Sequence, residues 1–313
     1  MDYLHNLSYE NFILLIIGIV VCFTFIMVLI CLQISYSLFK RLNIFMDNGL
    51  LIIGGWNIFF MLLTTTIFPL EYKNVNYTAV SVHIYAISFV LLFSNLLSGI
   101  KGPILRFLAS IYFIVFISYI TEDFIGNIYS NIAAFVMLFI TLKGFAGFVE
   151  TKHGNSKLAV FSLFLSVVIF LLCFFLGFTY GFLFSSVLIG AILGFMVFNI
   201  FGLKVVLNKG GAYFMGFILF FLVYLLVKVY DLNLLFLLAV FIYPLCLGIK
   251  AFLRIGFLLS SSIFLSFLYL VIVILAFYFY DEILALGMLS IIFVVLYVIS
   301  SLVFMFIQRR VTA

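Results

Sequence analysis

Residues 190–219, "GAILGFMVFNIFGLKVVLNKGGAYFMGFIL", join one apolar run to the next through a loop that carries Lys204, Asn208, Lys209, Gly210 and Gly211. The runs on either side are each about 20 residues long, enough to cross a hydrocarbon core of about 30 Å as a helix. The loop between them is basic, and loops that stay on the cytoplasmic side of a membrane collect Lys and Arg. The stretch therefore reads as two spans that turn on the inner face.

The rest of the chain repeats this pattern. Of 313 residues, 68% are hydrophobic and 8% are charged, and the mean hydropathy is +1.46. A soluble domain carries roughly 25% charged residues to cover its surface, so this composition specifies an integral membrane protein. Apolar runs fall at 11–36, 50–70, 80–99, 104–121, 127–149, 158–178, 181–201, 211–230, 232–249, 257–280 and 284–307. The divisions least marked in the sequence are "LGFTYG" between the sixth and seventh runs and the short ninth run, which contains Pro244. The N-terminal "MDYLHNLSYE" is acidic and has no basic n-region, so the first run is expected to remain as a span. The expectation is an all-α polytopic protein of about eleven transmembrane helices, a single transmembrane domain over 1–313 with only short loops.

Charge gives the orientation. With the N-terminus outside and the C-terminus cytoplasmic, the inner segments receive Lys40, Arg41, Lys101, Arg106, Lys143, Lys152, Lys157, Lys204, Lys209, Lys250, Arg254, Arg309 and Arg310, while the outer segments receive Lys73 and Lys228. The acids show the reverse bias: Asp47 and Glu150 fall inside and the other eight outside. That asymmetry obeys the positive-inside rule. Glycines also gather on the inner side, in "KGP" at 101–103, "GFAGF" at 144–148, "HGN" at 153–155 and "NKGG" at 208–211. They read either as ordinary turns or as exposed amides suited to phosphate-bearing ligands and anionic head groups. Cys22, Cys31, Cys173 and Cys246 lie inside apolar runs and read as buried thiols, and His5, His83 and His153 are scattered. No metal centre and no nucleic-acid partner is expected.

The stretch at 190–219 also resembles one family, the polytopic polyprenyl-phosphate N-acetylhexosamine-1-phosphate transferases, which include the MurNAc-pentapeptide transferase group. Family members read G-F-L-x-x-N-x-x-P-A-K-x-F-M-G-D-x-G-S followed by a glycine-bearing helix. Gly194, Phe195, Asn199, Lys204, Gly211, Gly216 and Phe217 fall at matching places. Further along, "LIIGGWNIFF" at 51–60 sits where the family has P-R-x-G-G. "SNLLSGIKGPILRF" at 94–107 corresponds to the D-D motif and its following basic residue, here Arg106. "GFAGFVETKHGN" at 144–155 corresponds to N-x-x-N-x-x-D-G-x-x-G-L. The resemblance covers most of the chain and implies the same eleven-helix fold.

What the resemblance implies for chemistry is a loss. Such enzymes join a nucleotide-activated sugar phosphate to polyprenyl phosphate on the cytoplasmic side, using carboxylates that hold Mg²⁺. Their paired Asp map onto Leu96 and Leu97, and the Asp of F-M-G-D maps onto Lys209. The two Asn of the third motif map onto Gly144 and Gly147, and its Asp onto Glu150; the His-rich loop expected after the ninth helix is absent from "IKAFLRIGFLLSSS". The expected reading is a catalytically degenerate relative with no catalytic residue and no metal. It keeps the membrane scaffold, binds polyprenyl phosphate or another membrane lipid, or serves as a subunit, with a membrane-protein partner or as a homodimer, in cell-envelope glycan assembly at a bacterial or archaeal inner membrane. Candidate lipid-phosphate or polar contacts are Lys101, Arg106, Glu150, Lys152, Asn199, Lys204 and Lys209. Lys209 reads either as an ammonium that replaces the lost cation beside a lipid phosphate or Glu150, or as a topogenic residue at the start of the eighth helix. Asn199 reads as a groove contact or as a helix-end amide bonding nearby backbone. Two other functions stand beside this one: an active phosphoglycosyl transferase whose acids have moved, which alone would need Mg²⁺, and a transporter of lipid or lipid-linked sugar.

Overall fold

A computed structural model describes residues 9–42, 46–47, 50–51, 54–65, 71–72, 75–94, 101–120, 128–149, 154–200, 205–253, 263–279 and 282–312. The described residues form eleven helices: α1 (Tyr9–Leu42), α2 (Gly54–Thr65), α3 (Tyr77–Ser94), α4 (Lys101–Ile120), α5 (Ile128–Val149), α6 (Gly154–Phe175), α7 (Thr179–Ile200), α8 (Lys209–Val229), α9 (Leu234–Leu253), α10 (Ile263–Tyr278) and α11 (Ile283–Thr312). Two two-residue antiparallel pairs, Met46–Asp47 with Leu50–Leu51 and Glu71–Tyr72 with Val75–Asn76, flank α2. The class is all-α. Seven helices, α1, α5, α6, α7, α8, α9 and α11, are long and apolar enough to cross a membrane, so the chain is a multi-pass membrane protein. Within α3 and α4 the apolar stretches are shorter. With 12 residues, α2 spans about 18 Å at 1.5 Å per residue, less than a hydrocarbon core.

The turns have local causes. α6 closes with Gly177 in the left-handed region at φ 69°; the Gly177 N–H donates to the Phe174 carbonyl at 3.1 Å and the Phe178 N–H to the Cys173 carbonyl at 2.8 Å. This paired closure satisfies the last carbonyls of the helix, and glycine adopts it without a Cβ penalty. The weakly marked "LGFTYG" division is thus a true helix end. α8 ends in a similar way at Asp231, φ 53°, with the Leu232 N–H on the Val227 carbonyl at 2.9 Å. Asn233 then caps α9 by accepting the Leu235 N–H at 2.8 Å.

By internal contacts the chain divides into two compact units, residues 1–85 with 155–211 and residues 86–154 with 212–313. In the first, α7 packs on α1 through the small-residue spacing Gly190-x-x-x-Gly194. A Cβ on Gly190 would collide with the Thr24 hydroxyl and the Val21 carbonyl, and one on Gly194 would lie 2.8 Å from the Val28 side chain. Glycines at this spacing let two backbones approach in a lipid environment, where apolar burial gives no drive for association. Thr24 keeps its own hydroxyl satisfied on the Val20 and Val21 carbonyls, at 2.9 and 3.0 Å. Tyr85, buried, donates to the Leu62 carbonyl in the last turn of α2 at 2.8 Å.

In the second unit, α5 and α9 meet backbone to backbone. A Cβ on Gly144 would strike the Pro244 carbonyl, and one on Gly248 would strike the Ile140 carbonyl. Residue numbers rise along one helix as they fall along the other, so the two run in opposing senses through this contact. A strict alternation of eleven crossings would give the fifth and ninth helices one direction. "GFAGF" at 144–148 is therefore not a turn: it lies inside α5 and supplies a packing seam. Pro244 within α9 has no N–H to offer the carbonyl four residues back. That carbonyl, on Val240, instead accepts a hydrogen bond from the buried Tyr269 hydroxyl of α10. Around it Tyr243, Tyr269, Phe293 and Tyr297 pack ring on ring, with centroids 5.6–6.5 Å apart.

Candidate functional site

Several sequence candidates, Leu96, Leu97, Glu150, Lys152 and Lys204, lie outside the described residues. Lys101 is the first residue of α4. The remaining three, Arg106, Asn199 and Lys209, fall in two local arrangements, one in each unit.

In the first unit, Asn199 at the end of α7 accepts the Ser156 hydroxyl of α6 on Oδ1 at 2.7 Å and donates from Nδ2 to the Val205 carbonyl at 3.0 Å. Both ends of the amide are occupied, so Asn199 ties the start of α6 and the end of α7 to the loop that leads to α8. Of its two sequence readings, backbone bonding is the geometry found. Three residues past Val205, Asn208 accepts the Gly211 N–H on Oδ1 at 2.8 Å, the N-cap bond of α8. Lys209 follows as the first residue of that helix, exposed, rather than in a turn before it. Gly211 has no room for a side chain: its Cβ would lie 2.8 Å from Leu207 and 3.3 Å from the Gly55 Cα, while the Gly54 N–H donates to the Val206 carbonyl at 3.3 Å. The starts of α2 and α8 are thereby held together by glycine on both sides.

In the second unit, Arg106 lies in the second turn of α4 and is only 9% exposed. Its Cζ sits 4.4 Å from the centroid of the Tyr213 ring, and Nη1 is 3.5 Å from the Ser94 hydroxyl, which itself donates to the Leu91 carbonyl at 2.7 Å. A guanidinium over an aromatic face gains about 0.5–2 kcal/mol, and a hydrogen bond at 3.5 Å is weak. Among the described residues no carboxylate pairs with it. Burying a charge without a paired counter-charge is costly in any low-dielectric setting. The stacking covers one face of the guanidinium, whereas its N–H groups lie in the plane, the geometry that grips a phosphate or carboxylate with two parallel bonds. Sequence singled out Arg106 by position alone; the ring beneath it, Tyr213, is supplied by the fold.

Gly144 and Gly147, at the places of the family's two Asn, differ from each other. Gly147 has open space where a Cβ would go, whereas Gly144 is closed against the Pro244 carbonyl. Among the described residues no three His, Cys, Asp or Glu side chains gather as a metal-binding group. Compared with family models, curated proteins and solved structures, the chain matches none.

Proposed function

We propose that this membrane protein is a catalytically degenerate relative of the polyprenyl-phosphate sugar-1-phosphate transferases that binds a lipid-borne phosphate, polyprenyl phosphate in the first instance, without transferring sugar. It acts as a lipid-binding scaffold or subunit in envelope glycan assembly. The observation that carries the reading is Arg106: a guanidinium nine-tenths buried, stacked on Tyr213, and with no carboxylate beside it among the described residues. An anionic head group supplies the missing counter-charge.

The glycines support the scaffold half of the reading. Gly194, Gly211 and Gly216, each at a family position, all stand where a side chain would collide, against Val28, Leu207 and Phe145. Packing positions are kept while acid positions have changed. A divalent cation does not fit the residue now at the F-M-G-D acid. Lys209 places an ammonium at the amide end of α8, where the helix dipole already contributes about half a positive charge. Like unit charges 4 Å apart repel by about 1 kcal/mol even in bulk water, and by more where water is excluded. The proposed role needs no metal.

The test is titration of polyprenyl monophosphate into the purified protein in nanodiscs, with and without Mg²⁺. Binding without Mg²⁺ that falls at least about tenfold in Arg106→Ala is expected, the loss of a charged hydrogen-bonded pair. Equal binding by Arg106→Ala, or turnover of a nucleotide sugar by the wild type, refutes the reading.

A further inference from the structure

We propose that α9 is a clipped hinge: the Tyr269 hydroxyl, standing in for the N–H that Pro244 lacks, fixes the placement of the C-terminal half of α9 against α5. Pro244 removes one rung of the helix ladder, and its ring crowds the carbonyl four residues back. Proline in a helix interior is a usual cause of a sharp bend. The freed carbonyl belongs to Val240, and in hydrocarbon it has no water to turn to, so its partner must come from the protein. The partner is Tyr269 on α10. Without that bond the two halves of α9 are joined at this turn by neighbouring rungs alone.

The next turn carries the contact that the clip positions. Beyond Pro244, α9 lies on α5 through Gly248 against the Ile140 carbonyl, and Gly144 lies against the Pro244 carbonyl. At Gly144 the nearest atoms are backbone, and at Gly248 the Ile140 side chain adds its Cγ2 methyl, so the seam depends on the two backbones staying in register, which the clip secures. The rings of Tyr243, Phe293 and Tyr297 hold Tyr269 in place. The clip is thus mounted on a packed aromatic base, and the part it holds is the segment past the proline.

The test is a double-mutant cycle in full-length protein whose four cysteines are replaced, with spin labels at Val136→Cys and Phe252→Cys. Both positions are exposed, at 45% and 65%. They continue the facing register of Gly144 with Pro244 and Ile140 with Gly248. Tyr269→Phe is expected to broaden the label distance distribution in nanodiscs and to lower the melting midpoint by a few degrees. Pro244→Ala restores the N–H to Val240, so in that background Tyr269→Phe is expected to change neither. An unchanged distribution in the single variant overturns the proposal, as does an equal change in both backgrounds. Should Tyr269→Phe alone not fold, rescue by Pro244→Ala supports the clip and failure in both overturns it.

Discussion

Arg106 and Asn199 show how differently two sequence candidates of similar standing are used. Asn199 bonds Ser156 through Oδ1 and Val205 through Nδ2, tying two helices to a loop. Asn199→Ala strands a hydroxyl and a carbonyl and is expected to cost about 1–3 kcal/mol, read as a lower melting midpoint in detergent with lipid binding retained. Asn199→Asp is expected to cost as much, because the carboxylate cannot donate to Val205. Arg106 has the opposite profile. Its replacement removes a buried charge that has no counter-charge among the described residues, so Arg106→Met is expected to leave the melting midpoint unchanged or raise it in the absence of lipid, while abolishing stabilisation by added polyprenyl phosphate. Ser156 illustrates what single-sequence reading misses. Its bond to Asn199 spans 43 residues, and a hydroxyl in an apolar run carries no signal of which distant amide it will meet.

At the scale of the helix, closure is local chemistry and contact is not. Gly177, Asn208 and Asn233 end or start helices through their own backbone and side-chain bonds, although the division at Gly177 was among the least marked in the sequence. The seam between α5 and α9 is different, since glycine signals permission for close approach without naming the partner. "GFAGF" therefore read as loop-like, although Gly144 is a contact point within a helix. The two glycines of that segment make a controlled comparison. Gly144→Ala drives a methyl into the Pro244 carbonyl and is expected to destabilise by about 1–3 kcal/mol, the usual cost of overpacking. Gly147→Ala meets nothing within 4 Å and is expected to be neutral or to stabilise by up to about 1 kcal/mol through helix propensity. Melting of both variants in the same detergent checks the pair.

For the whole molecule, composition and hydropathy were sufficient to give the all-α, multi-pass class, because a chain so poor in charge has no other soluble solution. They did not give the sense of packing. The opposing run of α5 and α9 places part of the chain outside a simple alternation, and no charge count registers that, since Pro244 and Gly248 carry no topogenic charge. That opposing run is open to direct measurement. Single cysteines at Tyr129, near the start of α5, and at Phe252, near the end of α9, both exposed, are expected to react with an impermeant maleimide from the same side of the membrane. Reaction of the two from opposite sides would break the opposing run.

The glycine spacing of α7 also bears on biosynthesis. Thr24 and Val28 rest on Gly190 and Gly194, so α1 waits during synthesis for a partner about 160 residues behind it. At about 5–20 residues per second that delay is on the order of ten to thirty seconds. Throughout it α1 must persist in the bilayer without that partner. Its sequence suits this: no ionisable carboxylate or amine stands between Glu10 and Lys40, and the face later covered by α7 offers Thr24, whose hydroxyl is already bonded within its own helix. Insertion of α1 is thereby independent of its packing on α7.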